Sequence, residues 1–313
     1  MRVVFWGSPA FAVVTLEAVM ASAHQVTGVV TQPPRAAGRG RRAAPTPVAR
    51  TAAAAGVPVL APDKPRGEPF LTALRSLRAD LFLVAAYGEI LPATVLATAP
   101  HGALNIHASL LPAYRGAAPV TRAILDGRRT TGITIMRMDA GLDTGPICLQ
   151  AEEPIHPDDT AGSLTARLSG LGARLAVEAL ERLTAGTLPE APQDDAAASR
   201  APKVDASEAR LDWTRPAAEL ERAARAFDPW PGAWTIWRGE RLKVSRLALE
   251  AGPKGLRADM GKLVAVQPGP LVQVGDGVVR LDVVQPPGGR RMAGSAWARG
   301  RSASVGERLG GDG

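Results

Sequence analysis

The stretch Leu104–Arg115, LNIHASLLPAYR, decides the reading of this chain. Ala103, Leu104 and Ile106 are apolar and are interleaved with Asn105 and His107. In a strand, residues i and i+2 share a face, so the amide and the imidazole aim at one point. Ser109-Leu110-Leu111-Pro112 follows at once, and Pro112 can continue neither a ladder nor a helix. The stretch therefore reads as a strand that ends on two polar groups beside a stiff, partly apolar loop. In open α/β sheets, ligands bind beyond the carboxyl ends of strands.

Further along, Thr131–Met138 reads as another strand and runs into a loop from Asp139 to Pro146. That loop carries two carboxylates, Asp139 and Asp143, among glycines that allow close backbone approach. Asn, His and Asp together can perform acyl transfer without a nucleophilic side chain. Asn105 and a protonated His107 donate hydrogen bonds to a developing oxyanion, while an Asp charges the His and helps take a proton from the attacking group. One such donor lowers the barrier by roughly 3–4 kcal/mol. A metal-assisted route is not what the sequence favours: it has four histidines, and none sits with Cys or Asp at ligand spacing.

At these residues the chain resembles the folate-dependent formyltransferases, on Asn105-x-His107, the Ser109–Pro112 run and the Asp143 loop. The resemblance implies a formyl donor, 10-formyltetrahydrofolate, with no metal. It implies Asn105, His107 and Asp143 as catalytic residues. Ser109, Leu110, Leu111 and Pro112 would line the folate pocket, with Tyr87, Gly88, Ile90, Leu91 and Pro92 as its other wall, where loop backbone does the recognising. Members that formylate methionyl-tRNA carry a basic insertion that contacts the acceptor end of the tRNA. Arg35, Arg39, Arg41 and Arg42 lie at the corresponding place, and Arg41-Arg42 match its basic pair. The resemblance continues through Lys203–Trp213 and Phe227–Trp234 and spans roughly Arg2 to Arg301. It implies initiator methionyl-tRNA as the partner. Sugar-nucleotide N-formyltransferases share the Asn–His–Asp core, and a non-catalytic RNA-binding protein would share the basic character, so both stand as alternatives.

The bulk composition agrees with a basic partner-binding enzyme. The chain has 313 residues, long for one core and suited to two domains. Its net charge is +7, and 17 of its 37 Lys and Arg residues against 12 of its 30 acids fall after residue 206. A positive balance suits a polyanion. No apolar run is long enough to span a membrane, and MRVVFWGSP reads as strand and turn rather than as a secretion signal. The single cysteine, Cys148, allows no internal disulfide and suits a reducing cytoplasm. No long heptad or repeat suggests assembly, so a monomer is expected.

Alternating strands and helices predict a doubly wound, mostly parallel, Rossmann-like α/β sheet. Arg2–Trp6 is the first strand, followed by a helix to about Ala21 with Ser8 as N-cap. No G-x-G-x-x-G follows that strand, so no dinucleotide fingerprint is present. Residues 32–47, with four prolines and four arginines, read as an irregular basic loop suited to phosphates. Asp80–Ala86 has the continuous apolar character of a central parallel strand. Leu164, Leu168, Leu171 and Leu175 make the core stripe of a long helix. The expected division is a catalytic domain over 1–186, a linker over 187–206 and a C-terminal small β-barrel of OB-like type over 207–313. The final dozen residues, from Ser302, read as frayed.

Overall fold

The computed structural model describes residues 1–37, 42–251 and 259–311. It contains two compact units, the first built from residues 1–119, 130–154 and 165–202, the second from 120–129, 155–164 and 203–313.

The first unit is a seven-stranded sheet. In chain order the elements up to residue 202 are β1 (Arg2–Gly7), α1 (Ala10–Met20), β2 (Gln25–Val30), the short pair β3 (Arg35–Ala37) and β4 (Arg42–Ala44), α2 (Pro47–Ala54), β5 (Val59–Leu60), α3 (Glu68–Ser76), β6 (Leu81–Ala85), α4 (Ala93–Leu96), β7 (Ala103–His107), β8 (Arg115–Gly116), α5 (Pro119–Leu125), β9 (Thr130–Arg137), β10 (Ile147–Pro154), α6 (Ala161–Thr184) and β11 (Arg200–Ala201), of which α5 and the first turn of α6 belong to the second unit. The strand order is β10-β9-β7-β6-β1-β2-β5. The five strands from β7 to β5 are parallel; β9 runs antiparallel to β7, and β10, antiparallel to β9, points with the five again. The doubly wound class read from the sequence is the one that forms.

Central strands earn their place by composition. Every residue of β6 is buried, and so is every residue of β1 after Arg2, as a sheet covered on both faces requires. Trp6 anchors one face, meeting Phe70, Phe82 and Tyr87 edge-on at 6.0, 5.5 and 5.1 Å. Each such pair contributes about 1 kcal/mol beyond burial. On α6, Leu164, Leu168, Leu171 and Leu175 are buried as the spacing predicts. Gly172 lets this helix sit close to β7, since a Cβ there would lie 3.0 Å from Ile106 Cγ2.

Three expectations need correction. Ser8 is not the cap of α1: Pro9 occupies that position with no side-chain cap, and Ser8 Oγ accepts instead from Gln32 N–H at 3.1 Å. The basic loop is not wholly irregular, because β3 and β4 pair antiparallel, Arg35 opposite Ala44 and Ala37 opposite Arg42. The stretch expected to be a linker is docked onto the first unit as far as Pro202. Ala191 exchanges two backbone hydrogen bonds with Ile147, at 2.8 and 2.9 Å, and β11 pairs with β8. Its Pro- and Asp-rich composition looked like a tether because its attachments are backbone ladders and polar side chains, which leave no apolar pattern.

The second unit holds α7 (Ala217–Ala226), β12 (Trp234–Trp237), β13 (Glu240–Glu250), β14 (Leu263–Ala265), β15 (Leu271–Val274), β16 (Gly277–Gln285), β17 (Met292–Ala293) and α8 (Gly294–Gly300). Its antiparallel sheet has the order β12-β13-β16-β15-β14, with β17 on β16. The residues expected to fray close this sheet. Leu263 N–H donates to Glu307 O and Leu309 N–H to Gly261 O, both at 2.8 Å, on the β14 edge. Gly310 N–H donates to Ile236 O at 2.8 Å on the β12 edge, and Trp237 Nε1 donates to Glu307 Oε2 at 2.8 Å. The ring is thus completed by the C-terminal segment, not by pairing of its two edge strands. Among the described residues, no helix is long and apolar enough to cross a membrane.

Removing residues 307–313 should therefore open the sheet. Loss of three backbone hydrogen bonds and of the buried Leu309 side chain costs on the order of 4–5 kcal/mol. A thermal melt of the full chain against the truncated one, with tryptophan emission as the probe, should show a lower transition and red-shifted emission. An unchanged melt would mean that the segment closes nothing.

Candidate active site

The ladder that places β7 between β6 and β9 fixes Asn105 and His107 on one face. His107 sits opposite Thr134 of β9 and is 5% exposed. Its Nε2 lies 2.9 Å from Tyr114 O, and a carbonyl can only accept, so Nε2 is the donor. Tyr114 holds a left-handed backbone, φ 61°, which turns that carbonyl toward the ring.

Asp143 reaches the same point by a longer route. Because β9 runs antiparallel to β7, its carboxyl end, Arg137, lies beside Leu104 rather than beside His107. The loop after β9 doubles back to bring the carboxylate to the ring. Asp143 Oδ1 accepts from Asn105 Nδ2 at 3.3 Å, and Oδ2 accepts from Gly116 N–H at 2.8 Å. Oδ2 also lies 3.6 Å from His107 Nδ1, with both side chains largely withdrawn from water. Gly116 permits this contact: its φ is +128°, and a Cβ there would lie 2.6 Å from Ala201 O. Asp139 is turned to a different task. Its carboxylate accepts from Gly141 N–H at 2.9 Å and from Thr144 Oγ1 at 2.8 Å, closing a turn within the loop.

The three residues expected to act together are therefore together. Asn105 uses one amide hydrogen on Asp143 and has a second. His107 Nδ1, 3.6 Å from Asp143 Oδ2, is beyond hydrogen-bond length of it. The set can hold an oxyanion with two donors and keep a negative charge beside the imidazole.

The loop 109–112 is built by polar bonds that leave its apolar surface free. Ser109 is fully buried, and its Oγ donates to Ala113 O at 2.6 Å. Thr134 Oγ1 donates to Ser109 O at 2.7 Å and accepts from Leu111 N–H at 3.1 Å. Gln150 Nε2 donates to Leu111 O at 2.8 Å. Leu111 is buried, while Leu110 and Pro112 are partly exposed. On the other proposed wall, the side chains of Tyr87 and Leu91 lie in the core cluster around Trp6. Gly88 and Ile90 are exposed and Pro92 half-buried, so what Tyr87 and Leu91 can offer a ligand is backbone. Of the basic residues, Arg35 and Arg42 lie on β3 and β4, whereas Arg39 and Arg41 fall outside the described residues.

Sequence reasoning missed several contributors. Tyr114 O, Gly116 N–H and the 191–201 segment all touch the site. Ser199 Oγ accepts from Tyr114 N–H at 2.9 Å, and Ser199 O accepts from Arg115 N–H at 2.9 Å. The Tyr114-Arg115-Gly116 triplet carried a usable signal, a glycine directly beyond the apolar loop; Ser199 carried none.

Two buried groups titrate far from their ordinary range. Burial pushes the Cys148 thiol up to about 11, so it is inert packing. Burial, with Glu89 adding to it, pushes the Tyr87 phenol up to about 12, and its hydroxyl has no hydrogen-bond partner among the described residues. The unfolded chain gives up that proton near ~10, and the folded chain retains it until about 12. Stability should therefore fall as pH rises through that window. Tyr87→Phe should abolish this part of the alkaline loss, and at neutral pH it should leave stability unchanged or raise it by up to about 1 kcal/mol. Denaturant melts between neutral and alkaline pH test both statements.

The chain is similar to known proteins over nearly its whole length. Residues 1–180 match a family described as formyl transferase, and residues 203–302 match its C-terminal domain. A curated methionyl-tRNA formyltransferase from Roseiflexus sp. (strain RS-1) is 47% identical over 311 residues, covering 99% of this chain and 95% of that protein. Among solved structures, an N-formyltransferase from Helicobacter canadensis, in complex with folinic acid and dTDP-3-aminofucose, superposes with a TM-score of 0.67 at 17% identity. It covers 90% of this chain and 99% of that one. HypX from Aquifex aeolicus, in complex with tetrahydrofolic acid, gives a TM-score of 0.66 at 18% identity, covering 98% of this chain and 48% of that one.

Proposed function

The chain belongs to the formyl transferase family, and we propose that it moves the formyl group of 10-formyltetrahydrofolate onto the amino group of methionine on initiator methionyl-tRNA, in the cytoplasm. The near full-length identity to a methionyl-tRNA formyltransferase carries the choice of acceptor. The Asn105–His107–Asp143 cluster carries the chemistry.

In this reading the methionyl amine attacks the formyl carbon. As the C–N bond forms, the formyl oxygen gains charge and needs donors. Asn105 offers its second amide hydrogen. His107 is fixed through Nε2 on Tyr114 O and offers Nδ1, which donates only when the ring carries a proton on each nitrogen. Asp143 Oδ2 lies 3.6 Å from that nitrogen and sets a carboxylate beside the ring. Asp143 also helps draw off the amine proton before the tetrahydrofolate nitrogen leaves. Leu110, Pro112 and the backbone of residues 88–92 form the folate walls. The arginines of residues 35–42 hold the acceptor end of the tRNA through its phosphates.

The reading is tested by offering labelled 10-formyltetrahydrofolate with charged initiator methionyl-tRNA and, separately, with a sugar-nucleotide amine. Label on the methionyl-tRNA is the expected result. Label on the sugar would keep the chemistry and overturn the acceptor. Label on neither, with RNA still bound, would overturn catalysis. Asn105→Ala and His107→Ala should each lower kcat by roughly 10²–10³ with the KM for tRNA little changed. Arg42→Ala should do the reverse, weakening tRNA use and lowering the slope of log affinity against log salt by about 1.

A further inference from the structure

The clearest feature that the mechanism leaves unused is a chain of polar contacts running from solvent to the backbone of Asp143. Asp143 holds a left-handed backbone, φ 55°. Asp tolerates that region better than most residues, but it is held there only when its surroundings over-determine it. Gln193 supplies the constraint. Its Nε2 donates to Asp143 O at 2.9 Å and to Gly145 O at 2.7 Å, so both amide hydrogens are used on the carbonyls that flank Thr144. Its Oε1 is in turn fixed by Arg115, which donates from Nε at 3.0 Å and from Nη2 at 2.8 Å. Arg115 Nη2 also reaches the exposed Asp195 at 2.8 Å.

We propose that Gln193 is a positioning residue for catalysis: its amide clamps the Asp143 turn and so sets the direction of the Asp143 carboxylate toward Asn105 and His107. The proposal rests on the formyl-transfer reading of that cluster. Three features support it. An amide is the one neutral group that can give two hydrogens to two carbonyls and accept from a guanidinium at once. The clamp grips backbone, so it controls the turn and not the carboxylate's own partners. Gln193 joins Arg115 to the Asp143 loop, and Arg115 adjoins Gly116, whose N–H holds Asp143 Oδ2. The turn and the donor that receives its carboxylate are thereby tied to one side chain.

Gln193→Glu separates clamping from docking. A carboxylate keeps the partner of Arg115, and with it the seat of the segment, but turns lone pairs on two carbonyl oxygens. Gln193→Ala removes both. Activity is measured with whichever amine the wild-type chain formylates, so a wrong acceptor shows in the wild-type tube and a wrong clamp in the variant tube. Both variants should lower kcat, by roughly 10- to 100-fold, as expected for misplacement of a catalytic group by about an ångström. KM for folate and for the acceptor should stay within about twofold. In an Asp143→Ala background, Gln193→Ala should change the residual kcat by a factor of about one, because the group it positions is gone. Wild-type kcat in Gln193→Glu would overturn the proposal. So would an undiminished effect of Gln193→Ala without the Asp143 carboxylate, since that would make the contact one of general stability. If Gln193→Ala fails to fold, Gln193→Glu alone and combined with Asp143→Ala decides the matter.

Discussion

The Asp143 carboxylate is the contact on which the rest of the first unit converges. Its two oxygens receive an amide hydrogen from β7 and a backbone hydrogen from Gly116, and face the buried imidazole of His107. Three segments distant in sequence meet at one charged group. A carboxylate so withdrawn from water must be hydrogen-bonded or paired, because an unpartnered buried charge costs several kcal/mol. The strand, the apolar loop with its following turn, and the returning loop therefore have to arrive together or leave a charge unsatisfied. The same partners that stabilise the carboxylate hold it 3.6 Å from the His107 imidazole.

Backbone strain marks the same place. Arg78 aside, the described non-glycine residues of the first unit with positive φ are Ala86, Tyr114 and Asp143. They follow β6, the loop after β7, and β9, and two of the three directly aim a group at His107: a carbonyl from Tyr114 and a carboxylate from Asp143. Each costs of order 1–3 kcal/mol and persists where packing and hydrogen bonds fix it from several sides. The segment 191–201 supplies many of those fixings, through Ala191, Gln193, Ser199 and the β11–β8 pair. A stretch that looks like a tether is in structural terms a strap across the loops that carry Tyr114 and Asp143.

The second unit follows a similar logic at the level of a sheet. A twisted antiparallel sheet with two bare edges invites unwanted pairing. Here one segment of the C-terminus meets both edges, and its Glu307 also pairs with Arg238 and with the Trp237 indole. Closure is backbone chemistry, so it makes little demand on side-chain pattern. Ser302–Gly311 could look frayed in sequence and still complete the ring.

The sequence by itself determined a good deal. Continuous apolar runs at β1 and β6, the leucine stripe of α6 and the alternation of strands and helices specified the doubly wound unit, because burial on both faces dictates composition directly. The two-residue spacing of Asn105 and His107 specified their common face, because strand geometry has period two. Asp143 and Asp139 were equivalent as letters. The family resemblance pointed to Asp143, and the tertiary structure supplied the physical reason: a loop leaving the far end of an antiparallel strand has to fold back, and which carboxylate turns inward depends on φ, on Gly116 and on the strap. The N-cap lost by Ser8, the core burial of Tyr87 and Leu91, the clamp at Gln193 and the closure at Glu307–Gly310 share that cause. Each rests on a partner far away in the chain, and local sequence records propensity, not partners.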